Sequence, residues 1–246
     1  MADGGFDYAV LIEYETRRPR NEWLEVFAPR VTDARRHEPN TLAYSAFANA
    51  SNPKHVLVFE RYVSEEDVKV HINRPAHKTL IDEFTKERMT KRLVLPALKL
   101  NPLRIGWWER INNPATSGSV LSVMAIRFQD QNSYEKYLPL LHAHAEYCRK
   151  NNPEIIVYSG CLANSSVQKG DYVGMIQKND LIWITGATSE KAMTRHIEDE
   201  RHIQLRKDIV KAGIQVKYPF KKIYKSTGLG WMTRKETTRK ETTSKM

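Results

Sequence analysis

The chain alternates apolar and polar positions, switches to an apolar residue every third or fourth position, and returns to alternation. That order occurs twice. Phe6–Tyr14, FDYAVLIEY, is apolar on both alternating faces and predicts a strand covered on both sides. Trp23, Leu24, Phe27, Val31 and Ala34 then recur at helical spacing, predicting an amphipathic helix to about Arg36. Thr41–Ala48 and His55–Tyr62 read as two strands joined by the Asn-Pro loop at 49–54. Ser64–Leu80, SEEDVKVHINRPAHKTL, predicts a helix, a break at Asn73-Arg74-Pro75, and a helical extension over Ala76–Arg88. Leu93–Leu103, with two prolines, reads as a connector, and Arg104–Ile111 as a fourth strand.

The second pass runs through Ser119–Phe128 (strand), Ser133–Arg149 (helix), Ile155–Ala163 (strand), Leu181–Gly186 (strand), Glu190–Ala212 (helix) and Val216–Tyr224 (strand). Particular residues repeat with the pattern. At an offset of 125, Ser64, Glu65, His71, Ile72, His77 and Leu80 match Ser189, Glu190, His196, Ile197, His202 and Leu205. At an offset of 114, Pro39, Tyr44 and Ser45 match Pro153, Tyr158 and Ser159. The second half therefore holds eleven extra residues near Ser165–Asp180, expected as an extended hairpin around Asp171–Ile176. The expected fold class is α+β: two tandem ferredoxin-like βαββαβ units packed sheet-to-sheet as a pseudo-dimeric α+β barrel. The units span 5–111 and 118–226, with the linker at Asn112–Gly118 and a basic, disordered tail at 227–246 that repeats RKETT.

Charge changes this picture little. Of the net +10, most sits from Lys217 onward, where nine basic residues face two acidic ones. The body lacks a basic stripe with interleaved aromatics, so a nucleic-acid partner is not expected. No apolar run approaches the ~20 residues of a membrane span. The first residues lack the basic-then-apolar order of a signal peptide, so the expected location is cytoplasmic, with Cys148 and Cys161 as reduced thiols.

The stretch Phe59-Glu60-Arg61-Tyr62 followed by Ser64, Glu65, His71, Pro75 and His77 resembles the antibiotic biosynthesis monooxygenase (ABM) family of the dimeric α+β barrel superfamily. The second half keeps Ser189, Glu190, His196 and His202. It carries Trp183-Ile184-Thr185-Gly186 and Glu200 where the first has Phe-Glu-Arg-Tyr and Pro75. Members are mostly homodimers of one unit, so the resemblance implies a fused pseudo-dimer, itself compatible with a further homodimer. It also implies a cofactor-free oxygenase of secondary metabolism that converts a phenol or anthrone of polyketide type with dioxygen. A non-catalytic ligand-binding or scaffold protein, or a non-oxidative cyclase, isomerase or decarboxylase, fits the same fold.

Cofactor-free oxygenation needs a base, donors for the resulting anion, and a dry aromatic pocket. On that logic the expected catalytic residues are His71 as base, Tyr44 as phenolate donor, and Glu60. The expected substrate-binding residues are Trp107, Trp108, Tyr62, His77 and Phe59, with activity in the first half and the second half as a degenerate partner. Each has a plainer role: His71 ordering the helix break through a carbonyl or Glu60, His77 a helix-start contact, Tyr44 a buried tyrosine satisfied by backbone, and the tryptophans core packing. Arg61 and Arg104 read as anion stabilisers or as solvated strand residues. No cofactor is expected, since nucleotide and flavin motifs are absent. No metal is expected either: His71 and His77 are six apart across a proline, His142 and His144 point in opposite directions on a helix, and neither cysteine shows ligand spacing.

Overall fold

The structure, a computed structural model, describes residues 8–108 and 118–232. The start of the first strand at Phe6, the end of the fourth at Ile111, the linker from Asn112 and the RKETT repeats lie outside the described residues.

The first unit runs β1 (Tyr8–Thr16), α1 (Arg20–His37), β2 (Thr41–Asn49), β3 (His55–Tyr62), α2 (Glu65–Asn73), α3 (Pro75–Lys86) and β4 (Thr90–Trp107). The second repeats it as β5 (Val120–Phe128), α4 (Gln131–Asn151), β6 (Ile155–Ala163), β7 (Leu181–Ala187), α5 (Glu190–Glu198), α6 (Glu200–Lys211) and β8 (Val216–Trp231). The repeated serines are helix N-caps: Ser64 Oγ accepts from the Asp67 amide at 3.3 Å and Ser189 Oγ from the Ala192 amide at 3.1 Å. Both helix pairs break at a residue with extended backbone. Pro75 follows Arg74 in the first unit, whereas in the second the Asp199 side chain caps the next helix at the Arg201 amide.

The sheet is one closed barrel, β1-β3-β2-β8-β5-β7-β6-β4. The two sheets do more than face each other. Their edges are hydrogen-bonded, because β4 crosses to pair with β6 and β8 crosses to pair with β2. This crossing corrects two expectations. The presumed connector at Leu93–Leu103 is strand, part of an 18-residue β4, and β8 runs on to Trp231, so the segment expected as tail from 227 begins inside the barrel wall. Pro96 and Pro102 sit where the ladders slip register: β4 pairs Leu95 with Glu13 and Leu98 with Leu11, and its pairing to β6 shifts between Pro102 and Gly106.

The barrel encloses a core that includes Leu11, Leu57, Phe59, Leu98, Val123, Ile184 and Phe220. The long β6–β7 connection completes it. That connection forms turns, not the expected hairpin, and delivers Tyr172 and Ile176 into the core. The Asp171 amide donates to the Val94 carbonyl at 2.9 Å, and the Asp171 carboxylate pairs with Arg92. Glu13, fully buried, accepts from Tyr172 Oη at 2.7 Å, Asn49 Nδ2 at 2.9 Å and Tyr224 Oη at 2.9 Å, with His55 Nδ1 at 3.3 Å. A buried carboxylate is tolerated because donors from both units satisfy it. Outside the barrel each unit lays its helices over its own sheet, making two further apolar clusters.

Candidate functional site

The face between helices and sheet is where each unit gathers its polar groups. In the first unit β2 and β3 pair Tyr44 with Glu60, and alternation sends Glu60 and Tyr62 to the helix side. His71, at the end of α2, meets the rings of Tyr44 at 4.9 Å, Tyr62 at 5.4 Å and His77 at 5.4 Å between centroids. Tyr62 Oη donates to Glu60 Oε2 at 2.8 Å. Five predicted residues, Tyr44, Glu60, Tyr62, His71 and His77, thus come together.

Three do not. Phe59 and Trp108 lie on the opposite face and pack in the barrel interior, their rings 6.0 Å apart. Arg61, expected at a solvated position, is buried with its guanidinium 4.6 Å over Trp108, while Arg104 is exposed. Trp107 leaves its own unit altogether. Because β4 crosses, Trp107 packs on Tyr158 of the second unit at 5.5 Å, and Trp231 of β8 packs on Tyr44 at 6.0 Å. The sequence held a sign of this exchange, Gly106-Trp107 against Gly230-Trp231. Both glycines have positive φ, and a Cβ at either would meet a backbone carbonyl oxygen, Tyr158 at 1.7 Å or Tyr44 at 2.1 Å.

The first unit binds its histidine through charges that the motif does not contain. His71 Nδ1 lies 2.7 Å from Glu38 Oε2 and 2.8 Å from Arg30 Nη2, and Arg30 Nη2 lies 2.6 Å from Glu38 Oε1. Thr41 Oγ1 donates to Glu38 at 2.9 Å, and Arg74 bridges Glu38 and Asp33. His71 therefore orders the helix break through Glu38, not through Glu60. Burial alone would raise the Glu38 carboxyl, but the His71 hydrogen bond and the His71 and Arg30 charges hold it down at about 2. Burial pushes Glu60 the other way, up, and lowers His77 to about 4. Beside this cluster the rings of Trp23 and Phe27 pack at 5.1 Å and those of Trp23 and Phe84 at 4.8 Å, all three buried.

The second unit has the same frame with different contents. By the 114 and 125 offsets, Tyr137, Leu141 and Ile209 stand where the first unit has Trp23, Phe27 and Phe84. Strand register aligns Thr185 with Glu60, since each opposes the repeated tyrosine, Tyr158 or Tyr44; the motif comparison had set it one residue off. Smaller side chains leave a cavity of about 610 Å³ between the helices and the sheet. Tyr137, Tyr158, Trp183, Met193, His196 and His202 line it, with Arg206 and Lys221 at exposed positions on its wall. Behind that wall His144 and Cys148, at i and i+4 on α4, face His196; this spacing was present in the sequence and corrects the expectation that neither cysteine shows ligand spacing. The first unit has Arg30 and Ala34 at those two positions.

An eight-stranded α+β barrel with a ligand-sized cavity between sheet and helices is a monooxygenase-like fold. Residues 8–83 match the family described as antibiotic biosynthesis monooxygenase, and the first unit belongs to it, with the second its structural repeat. Solved structures share the whole architecture. A protein provisionally described as a monooxygenase from Fusobacterium nucleatum subsp. nucleatum aligns at a TM-score of 0.70 and 10% identity, over 94% of this chain and 95% of that one. Another so described, from Lactobacillus acidophilus NCFM, aligns at 0.67 and 12%, over 94% and 100%. An anthrone oxidase-like protein aligns at 0.55 and 13%, over 93% and 96%. At these identities the likeness concerns the fold alone. No curated protein matches this chain. Among the described residues no helix is long and apolar enough to cross a membrane.

Proposed function

We propose that the chain is a cofactor-independent monooxygenase that oxidises an apolar aromatic molecule of phenol or anthrone type in the cavity of the second unit. The observation that carries this is the cavity itself, about 610 Å³ and walled by aromatic and aliphatic side chains, where the first unit has Trp23, Phe27 and Phe84. That size suits a substrate of two or three fused rings. Burial lowers His196 to about 4 and His202 to about 3, so both imidazoles are neutral at pH 7; a proton taken by either is held by the substrate anion formed beside it. Arg206 and Lys221 line the same space and favour the anion left behind.

The reaction is a methylene plus dioxygen giving a carbonyl plus water. An imidazole takes one proton from the activated carbon, and the carbanion passes one electron to dioxygen. The two radicals join, the proton returns to make a hydroperoxide, and loss of water with the second hydrogen leaves the carbonyl. Carbon loses four electrons and dioxygen gains four, so no further reductant is needed.

The test is incubation of the chelator-treated protein with anthrones and phenols under ¹⁸O₂ and under argon. One labelled oxygen in the product is expected, with no turnover under argon. Leu141→Phe combined with Ile209→Phe restores in the second unit two of the first unit's three rings, beside Tyr137 at the third position, and is expected to abolish turnover while leaving the unfolding transition in place. Turnover that persists under argon, or in the filled variant, overturns the proposal. Saturable binding without turnover would favour a ligand-binding role.

A further inference from the structure

Four side chains cluster beside the second unit's cavity, two of them, His196 and His202, on its wall. His144 and Cys148 come from α4, His196 from α5 and His202 from α6. His144 Nε2 lies 3.4 Å from Cys148 Sγ and 3.2 Å from His202 Nδ1, and Cys148 Sγ lies 3.8 Å from His196 Nδ1. The donor atoms of His144, Cys148 and His196 all fall within 4.8 Å of one another, and all three residues are buried.

These separations can be compared with a coordination sphere. Zinc bonds of about 2.0–2.1 Å to nitrogen and about 2.3 Å to sulfur, arranged tetrahedrally, put donor atoms roughly 3.4 Å apart for N···N and roughly 3.5 Å for N···S. Three separations in the cluster, 3.2, 3.4 and 3.8 Å, are close to edges of that tetrahedron, and the His144, Cys148 and His196 donors, within 4.8 Å of one another, need to draw in only slightly to complete it. The cluster's chemistry agrees: imidazole nitrogens with a thiol form a borderline-soft donor set suited to zinc.

The first unit supplies an internal comparison. There the residue matching His144 is Arg30, whose guanidinium sits 2.8 Å from the imidazole of His71, the counterpart of His196. A cation thus occupies this place in the first unit by covalent attachment. The second unit has lost that cation and the Glu38 carboxylate, replaced by Asn152, and has gained His144 and Cys148.

We infer that the second unit binds one divalent zinc ion through His144 Nε2, Cys148 Sγ, His196 Nδ1 and His202 Nδ1. The thiol gives up its proton on binding, and the ion takes the cationic place that Arg30 holds in the first unit. Occupied, the site takes lone pairs that the proposed oxidation uses, so zinc would act there as an inhibitor; that consequence alone rests on the proposed function.

The test uses the full-length chain stripped with chelator and titrated with Co(II) and then Zn(II). One equivalent of Co(II) is expected to bind, with a near-ultraviolet thiolate-to-cobalt charge-transfer band and the strong visible bands of tetrahedral cobalt, and Zn(II) should displace it. Cys148→Ser should remove the charge-transfer band, and Cys161→Ser should leave it intact. His202→Asn, on the cavity wall, should keep the band, because the thiolate and two imidazoles remain, and weaken binding. Absence of a stoichiometric band in the native protein overturns the inference. So does a band that survives Cys148→Ser or vanishes in Cys161→Ser. These readouts need no turnover, so failure of the oxidation leaves them informative.

Discussion

Replacing Glu38 with Gln tests how the first unit holds its histidine. Glu38 is 4% exposed and receives Arg30, His71, Thr41 and Arg74, and its carboxyl is held at about 2 against an ordinary 4.5. A depressed folded-state pKa stabilises the protein when the carboxyl is ionised. That contribution is complete above about 4.5 and is lost as pH falls toward about 2. At about 1.4 kcal/mol per unit, the shift corresponds to about 3 kcal/mol at neutral pH, within the range for breaking a buried ion pair. For a chain of this length that is a fall of roughly 6–12 °C in Tm at pH 7. Glutamine resembles the protonated carboxyl, so the gap between native and variant should narrow below about pH 4.5 and close near pH 2. Urea unfolding of both proteins at several pH values measures it. A gap that is absent at pH 7, or that stays constant down to pH 3, would refute the assignment of Glu38 as an ionised partner of Arg30 and His71.

Three further outcomes follow from the barrel. Gly230→Ala places a Cβ 2.1 Å from the Tyr44 carbonyl oxygen at a φ of +103°, and should lower stability by more than about 2 kcal/mol in denaturant unfolding. Tyr172→Phe removes a 2.7 Å hydrogen bond to buried Glu13 and should cost about 1–2 kcal/mol, with no loss of Co(II) binding in the second unit. Cutting the chain between residues 108 and 118 should give two pieces that co-purify as a one-to-one complex when expressed together. A fragment that shows a cooperative unfolding transition alone would contradict the reciprocal strand exchange.

The helical and strand periods made the two βαββαβ units legible, because each element is amphipathic in its own right and the capping serines and histidines repeat with it. The long β4 was not legible. Pro96 and Pro102 argue against a strand locally and are tolerated only where the ladder slips, a fact of pairing partners far away in sequence. The side of each residue was legible from alternation within β3, but the unit it serves was not. Trp107 reads as a first-unit residue and packs in the second, since the crossing of β4 is decided at the barrel edge. The motif also drew attention to the histidines shared by both units. What separates the units lies on the long helices, where Trp23, Phe27 and Arg30 become Tyr137, Leu141 and His144, and sequence spacing does not place those helices opposite the histidines.

Covalent fusion has a consequence for how such a protein can change. In a homodimer of identical units every substitution is made twice, so a pocket filled for stability is filled on both sides, and a cluster redesigned for a new ligand is redesigned on both. Here one polypeptide carries two independently written copies of the same layer. One copy has been packed with indole and phenyl rings and bolted by Arg30 and Glu38, and it holds up a barrel whose wall the other copy shares. The second copy keeps about 610 Å³ of open space and, beside it, a cluster of imidazoles and a thiol. The asymmetry that a two-fold axis forbids is the division of labour that a single reading frame permits.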